Sequence, residues 1–170
     1  MAFPNRWVRF HSLSGSKRYA ENDDEYVTVL DRHNRILGEL AQHGERVTLI
    51  TTGYSETAVP IRSYFDLTGL DPDAIPWRSV AMHQCDDNFC DTSFWHVFTS
   101  QQRWTPGVFD NIVRRVADDV LANVMFAASN WSWVIHTYDG GMDVFLDSSS
   151  ARDTLKASYS GWLSDRTDGL

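Results

Sequence analysis

The sequence predicts an α+β fold: a single-domain sandwich with a mixed or mainly antiparallel sheet of about six or seven strands and about three helices. Three observations carry this. Residues 131–163 read as strand, hairpin, strand and capped helix, two further capped amphipathic segments alternate with short β-branched runs, and neighbouring strands are joined too tightly for parallel crossovers.

The elements follow in order. Trp7-Val8-Arg9-Phe10-His11 alternates as a first strand, and the Ser/Gly content of residues 12–17 predicts a loop. Asn22, with Glu25 three positions on, is a capping box, and Asp23 and Asp24 suit the positive end of a helix dipole. Tyr26, Val27, Leu30, Leu37, Leu40 and Ala41 keep helical spacing, although His33 and Asn34 fall where the stripe should continue, and Gly44 supplies a stop. Residues 46–52 form a β-branched, apolar second strand, with Tyr54 and Ser55 just past its end. Pro60, Pro72 and Pro76 then predict a loop with one helical turn around residues 61–65. Strands are expected over 77–82 and 93–101.

Thr105-Pro106 opens a helix carrying Val108, Ile112, Val116 and Val120. A fifth strand at 123–128 and the turn Ser129-Asn130 lead into the strand 131–138. Asp139-Gly140-Gly141 supplies residues that accept positive φ, and Met142-Asp143-Val144-Phe145-Leu146 returns. Ser150 with Asp153 caps a last helix whose face bears Leu155, Tyr159, Trp162 and Leu163.

With 170 residues, 42% of them apolar, the chain supports one core, and one domain over 1–170 is expected. No apolar run approaches the roughly 20 residues needed to cross a bilayer, and the N-terminus has no export-signal pattern. A soluble, cytoplasmic protein is expected. Its two cysteines, Cys85 and Cys90, imply no disulfide framework, and reduced thiols are favoured over a local bridge between them. The formal net charge of −8 argues against nucleic-acid binding and favours solubility or a basic partner.

Candidate chemistry is scattered. His83, Cys85, Cys90 and His96 are chemically adequate for tetrahedral zinc, but their spacing matches no familiar knuckle, and a plain hairpin loop without metal or other cofactor is favoured. Ser14-Gly15-Ser16-Lys17 has the Ser-x-x-Lys pattern of some acyl-enzyme hydrolases without its companion elements, and lacks the upstream glycine of a phosphate loop. Arg9, Lys17 and Arg18, beside His11, suit an anion site, competing with simple pairing to the acidic stretch Glu21 to Glu25. His136, Tyr138, Asp139 and Asp143 surround one hairpin and could join His11 in an acid/base cluster, without an identified nucleophile. Trp77, Trp95, Trp104, Trp131 and Trp133 include several beside loops, where an exposed Trp anchors a partner; Asp86, Asp87, Asp91, Asp118 and Asp119 lie near them in sequence.

Arg9-Phe10-His11-Ser12-Leu13 continuing to Ser16-Lys17-Arg18-Tyr19, together with Tyr138-Asp139-Gly140-Gly141-Met142-Asp143, resemble an uncharacterised family of small bacterial proteins. The likeness extends over most of the chain and implies no catalytic residue. In size, acidity and α+β class the chain also resembles cytoplasmic immunity proteins that neutralise bacterial toxins. The expectation is a non-enzymatic binding module whose acidic surface, with Asp86 and Asp87 beside Trp104 and Trp131, neutralises a basic toxin domain. The alternative is a small enzyme or an anion- or small-molecule-binding protein with a cleft around His11, Lys17, Arg18, His136 and Tyr138. A homodimer is a third arrangement.

Overall fold

Backbone pairing rather than helix packing organises this chain. In the computed structural model, which describes residues 4–62, 67–85 and 92–164, seven strands form one sheet in the order β1-β7-β6-β5-β2-β4-β3. The strands are β1 (Trp7–His11), β2 (Arg46–Ser55), β3 (Ile75–Ala81), β4 (Phe94–Arg103), β5 (Val124–Ala128), β6 (Trp133–Tyr138) and β7 (Gly141–Leu146). Every pairing is antiparallel. The helices are α1 (Asp23–Leu40), α2 (Leu67–Leu70), α3 (Asp110–Ala117) and α4 (Ser149–Ser158). The molecule is a single α+β domain, as its sequence predicts.

Alternation along each strand sorts the two faces. One face sends Val8, Phe10, Val47, Leu49, Phe126, Ile135 and Val144 into a core shared with Val29, Ile36, Ile112, Val116 and Leu155 of the helices. Residues 56–62 cross this same face, so closely that a Cβ on Gly53 would stand 2.6 Å from the Ile61 carbonyl oxygen. Arg62 lies over the Phe98 ring, 5.6 Å from its centroid. Among the described residues no helix packs on the opposite face. Arg9, Met125, Val134, His136, Tyr138, Asp143 and Phe145 there are half-buried.

Local signals place most elements, and the departures have identifiable causes. Asn22 caps α1 by accepting from the Glu25 N–H at 3.0 Å, but the Glu25 carboxylate accepts from Glu21 N–H, not from Asn22. The helix ends at Leu40, before Gly44, whose φ of 82° serves the turn in which its N–H donates to the Trp104 carbonyl. Neither stripe exception disrupts the helix. His33 is buried and fully hydrogen-bonded, and Asn34 links the Leu30 carbonyl and Asp110 carboxylate to the N–H of Gly107.

Tyr54 and Ser55 belong to β2 rather than lying past it, because β4 pairs with them to Trp95 and Phe94. Of the helical turn expected at 61–65, Ile61 and Arg62 are non-helical and the rest lies outside the described residues; the short helix present is α2. Helix α3 begins after Phe109, not at Thr105-Pro106, because Gly107 takes φ 86° and breaks the run; Val108 and Val120 are left exposed. Trp131 and Ser132 precede β6 because Trp131 adopts φ 62°. The cap of α4 is Ser148, accepting from Ala151 N–H at 3.2 Å, two residues ahead of Ser150.

The hairpin Tyr138↔Gly141 pairs as expected, but neither Gly140 nor Gly141 uses positive φ. Gly141 is required by proximity: a Cβ there would fall 2.1 Å from the Phe10 carbonyl oxygen on β1.

Candidate functional site

Three strands at one edge of the sheet build the polar end of the uncovered face. The β6–β7–β1 registers align Tyr138, Gly141 and His11 in one row, His136, Asp143 and Arg9 in the next, and Val134, Phe145 and Trp7 in the third. Arg9 grips Asp143 with Nε to Oδ1 at 2.8 Å and Nη2 to Oδ2 at 2.9 Å. Its guanidinium also lies 5.1 Å from the Tyr138 ring centroid and 5.6 Å from that of Trp7. Burial pushes the Tyr138 phenol up to about 12 and lowers the pKa of His136. His11 is lowered too, by burial first and then by Arg9 and Arg32. The Tyr138 hydroxyl and His11 Nε2 are buried without a hydrogen-bond partner.

The structure thus brings Arg9, His11, His136, Tyr138 and Asp143 together and sends the other expected cations elsewhere. Lys17 binds the Glu25 carboxylate at 2.7 Å and Glu21 at 3.1 Å, the pairing that competes with the anion-site reading. Arg18 pairs with Asp139 in the hairpin turn at 2.5 Å. Asp139 is therefore buried as the partner of a surface arginine. Arg9, Lys17 and Arg18 each hold a carboxylate and do not form one cradle.

The other end of the face is aromatic. Trp131, in the β5–β6 turn, stacks on Trp77 of edge strand β3 with centroids 5.6 Å apart and an interplanar angle of 22°. Both are open to solvent, at 50% and 57% exposure. The turn is held by the Trp131 N–H donating to the Ala128 carbonyl and the Ser132 N–H donating to Asn130 Oδ1. Beside it lies a recess of about 390 Å³ lined by Arg6, Trp131, Val134, Phe145, Leu146 and Asp147. Tyr54 and Trp95 add exposed rings on the same sheet face.

Trp104, expected as a surface anchor, is a core residue, 2% exposed and stacked on Phe109. It follows β4 directly and is fixed by N–H donation to the Glu45 carbonyl, which turns the indole under α1 and α3. The acidic residues do not gather with the aromatic patch among the described residues: Asp118, at the end of α3, accepts from the Tyr26 hydroxyl on α1. Asp86, Asp87, Asp91 and Cys90 lie outside the described residues. Of the expected zinc ligands, His96 is buried with Nε2 bonded to Ser55 and Nδ1 to Ser79, each at 2.7 Å. His83 sits in a 3₁₀ turn and Cys85 is an exposed free thiol. Among the described residues no group of three His, Cys, Asp or Glu is placed to hold a metal ion.

Sequence reasoning missed one pairing and one residue that matter here. Trp77 was named as one possible anchor among several tryptophans, but nothing local marked Trp131 as its stacking partner. Arg32 had a signal: it lies between Val29 and Ile36 on the buried stripe of α1, where a cation is out of place.

A single antiparallel sheet, covered by helices on one face and, among the described residues, carrying a polar and an aromatic end on the other, defines an open-faced α+β domain. The chain belongs to the family described as a domain of unknown function (DUF3885), which matches residues 1–167. No curated protein and no solved structure matches it. No helix among the described residues is long and apolar enough to cross a membrane.

Proposed function

We propose that this protein is a non-enzymatic binding module that docks a partner protein on the uncovered sheet face, around the Trp77–Trp131 stack. One observation carries the reading: Trp131 holds an energetically unfavourable left-handed φ of 62° while half exposed. Turn positions of this kind ordinarily take Gly or Asn, and strain kept at a surface marks a functional site. The strain holds a large, rigid ring against Trp77 beside an apolar recess, the form of an interface anchor. The formal charge of −8 suits a basic partner and predicts electrostatically assisted association. The particular reading is an immunity-type inhibitor that occludes a basic toxin domain of a competing bacterium.

The test is a native mass spectrum of the protein isolated gently from its host, with wild type and Trp131→Gly in parallel. A stoichiometric basic protein bound by the wild type, lost in the variant and associating more slowly at high salt, supports the reading. A bare monomer, a homodimer, or a partner retained unchanged by Trp131→Gly overturns it.

A further inference from the structure

Arg32 projects from the sheet-facing stripe of α1 and is only 9% exposed. Its Nη1 donates to the His11 carbonyl at 2.7 Å, and its guanidinium carbon lies 5.0 Å from the Trp162 ring centroid. Both partners are neutral. Among the described residues no carboxylate forms an ion pair with Arg32, although buried cations are normally paired. The guanidinium's other donors are not sealed in the protein. Arg32 lines a recess of about 110 Å³ with His11, Ser14, Gly15, Ser16 and Trp162.

The loop over this recess is distorted. Gly15 takes φ 64° and Ser16 φ 56°, the latter a conformation that serine adopts only under constraint. Ser14 and Ser16 are exposed, with neither hydroxyl engaged among the described residues, and His11 Nε2 is buried without a partner. A largely buried guanidinium with no ion pair among the described residues, in a recess that two serines also line, has the chemistry of oxyanion recognition.

We propose that this recess binds one small oxyanion group, phosphate or carboxylate, held by Arg32 with the hydroxyls of Ser14 and Ser16. Its volume is well below the roughly 300–1,000 Å³ of drug-sized pockets. It therefore takes a single anionic group, free or at the end of a larger molecule. The site shares no residue with the Trp77–Trp131 surface, and each stands or falls alone.

The experiment titrates inorganic phosphate, and separately acetate, into the full chain while following the Gly15 and Ser16 amides and the Trp162 indole N–H by NMR. Saturable shifts at these positions are expected. Phosphate alone giving them assigns a phosphate site, and acetate giving them as well assigns a general oxyanion site. Ser16→Asp, which places a carboxylate beside Arg32 at an exposed position whose φ suits Asp better than Ser, should weaken the response at least tenfold. Arg32→Met should abolish it, and Ser16→Asp serves if the arginine variant does not fold. No saturable shift with either anion, or a response unchanged in Ser16→Asp, overturns the proposal.

Discussion

Arg9 and Asp143 face each other across β1 and β7 in a two-pronged ion pair that joins residues 134 positions apart in the chain. Both side chains are largely screened from solvent, at 23% and 13% exposure, so the pair is not an ordinary surface contact. Asp143→Asn should cost about 1–3 kcal/mol by leaving the guanidinium half-satisfied. A double-mutant cycle with Arg9→Met, read by chemical denaturation, checks it. A coupling below about 0.5 kcal/mol would put the pair with weak surface bridges instead.

Gly141→Ala should destabilise the fold by about 3 kcal/mol or more. The new methyl would meet the Phe10 carbonyl at 2.1 Å, an atom fixed in the β1–β7 ladder. Gly161→Ala, with nothing within 4 Å of its added Cβ, is the control and should be near neutral. Equal midpoints for the two variants would contradict the close approach.

His33 should make the protein acid-sensitive. Its Nδ1–H donates to the Val29 carbonyl and Nε2 accepts from the Thr137 hydroxyl, each at 2.9 Å, so the ring is held neutral. Burial lowers its pKa to about 4 from 6.5. The unfolded chain therefore binds a proton between these values while the folded one does not. Stability falls as pH drops through this window, by on the order of 3 kcal/mol in total by pH 4, and is fully present above pH 6.5. His136 and His11, lowered chiefly by burial, add slope of the same sign. A denaturation series from pH 7 to 4 should show a shallower slope in His33→Gln than in wild type, and an unchanged slope would refute the assignment.

Trp131→Gly should leave global stability within about 1 kcal/mol of wild type. Relief of the left-handed strain offsets the lost stacking on Trp77, each worth about 1 kcal/mol. A thermal melt and a binding assay on the same variant separate the two roles: stability kept and partner lost is the expected result.

Ser148→Ala should cost about 1 kcal/mol through loss of the α4 cap, and Ser150→Ala less than about 0.5 kcal/mol. Denaturation midpoints decide it, and the reverse order would restore Ser150 as the cap.

These serines show where sequence reading reaches its limit. Ser148, Ser149 and Ser150 are chemically alike, so the local pattern locates the start of α4 to within a turn, and only the approach of the chain from β7 chooses among them. The same holds at Thr105-Pro106, a sound start signal that Gly107 cancels. Gly140-Gly141 were legible as a turn, but the need for Gly141 comes from Phe10, which no nearby residue announces. At the candidate site, His136, Tyr138, Asp139 and Asp143 were legible as neighbours of one hairpin and His11 only as a residue that could join them, whereas Trp104 and Trp77 could not be told apart by exposure.

Alternation along β1, β6 and β7, the Asn22 cap and the Tyr138–Gly141 hairpin were determined by the sequence alone, because each rests on residues within a few positions of one another. The tertiary structure alone decided the strand order that brings the first strand beside the last, the gripping of Asp143 by Arg9 and, among the described residues, the face left uncovered and the burial of Arg32 without an ion pair. Those outcomes arise when distant segments satisfy one another's backbone groups and exclude water together, and such long-range pairing leaves no mark on the local order of residues.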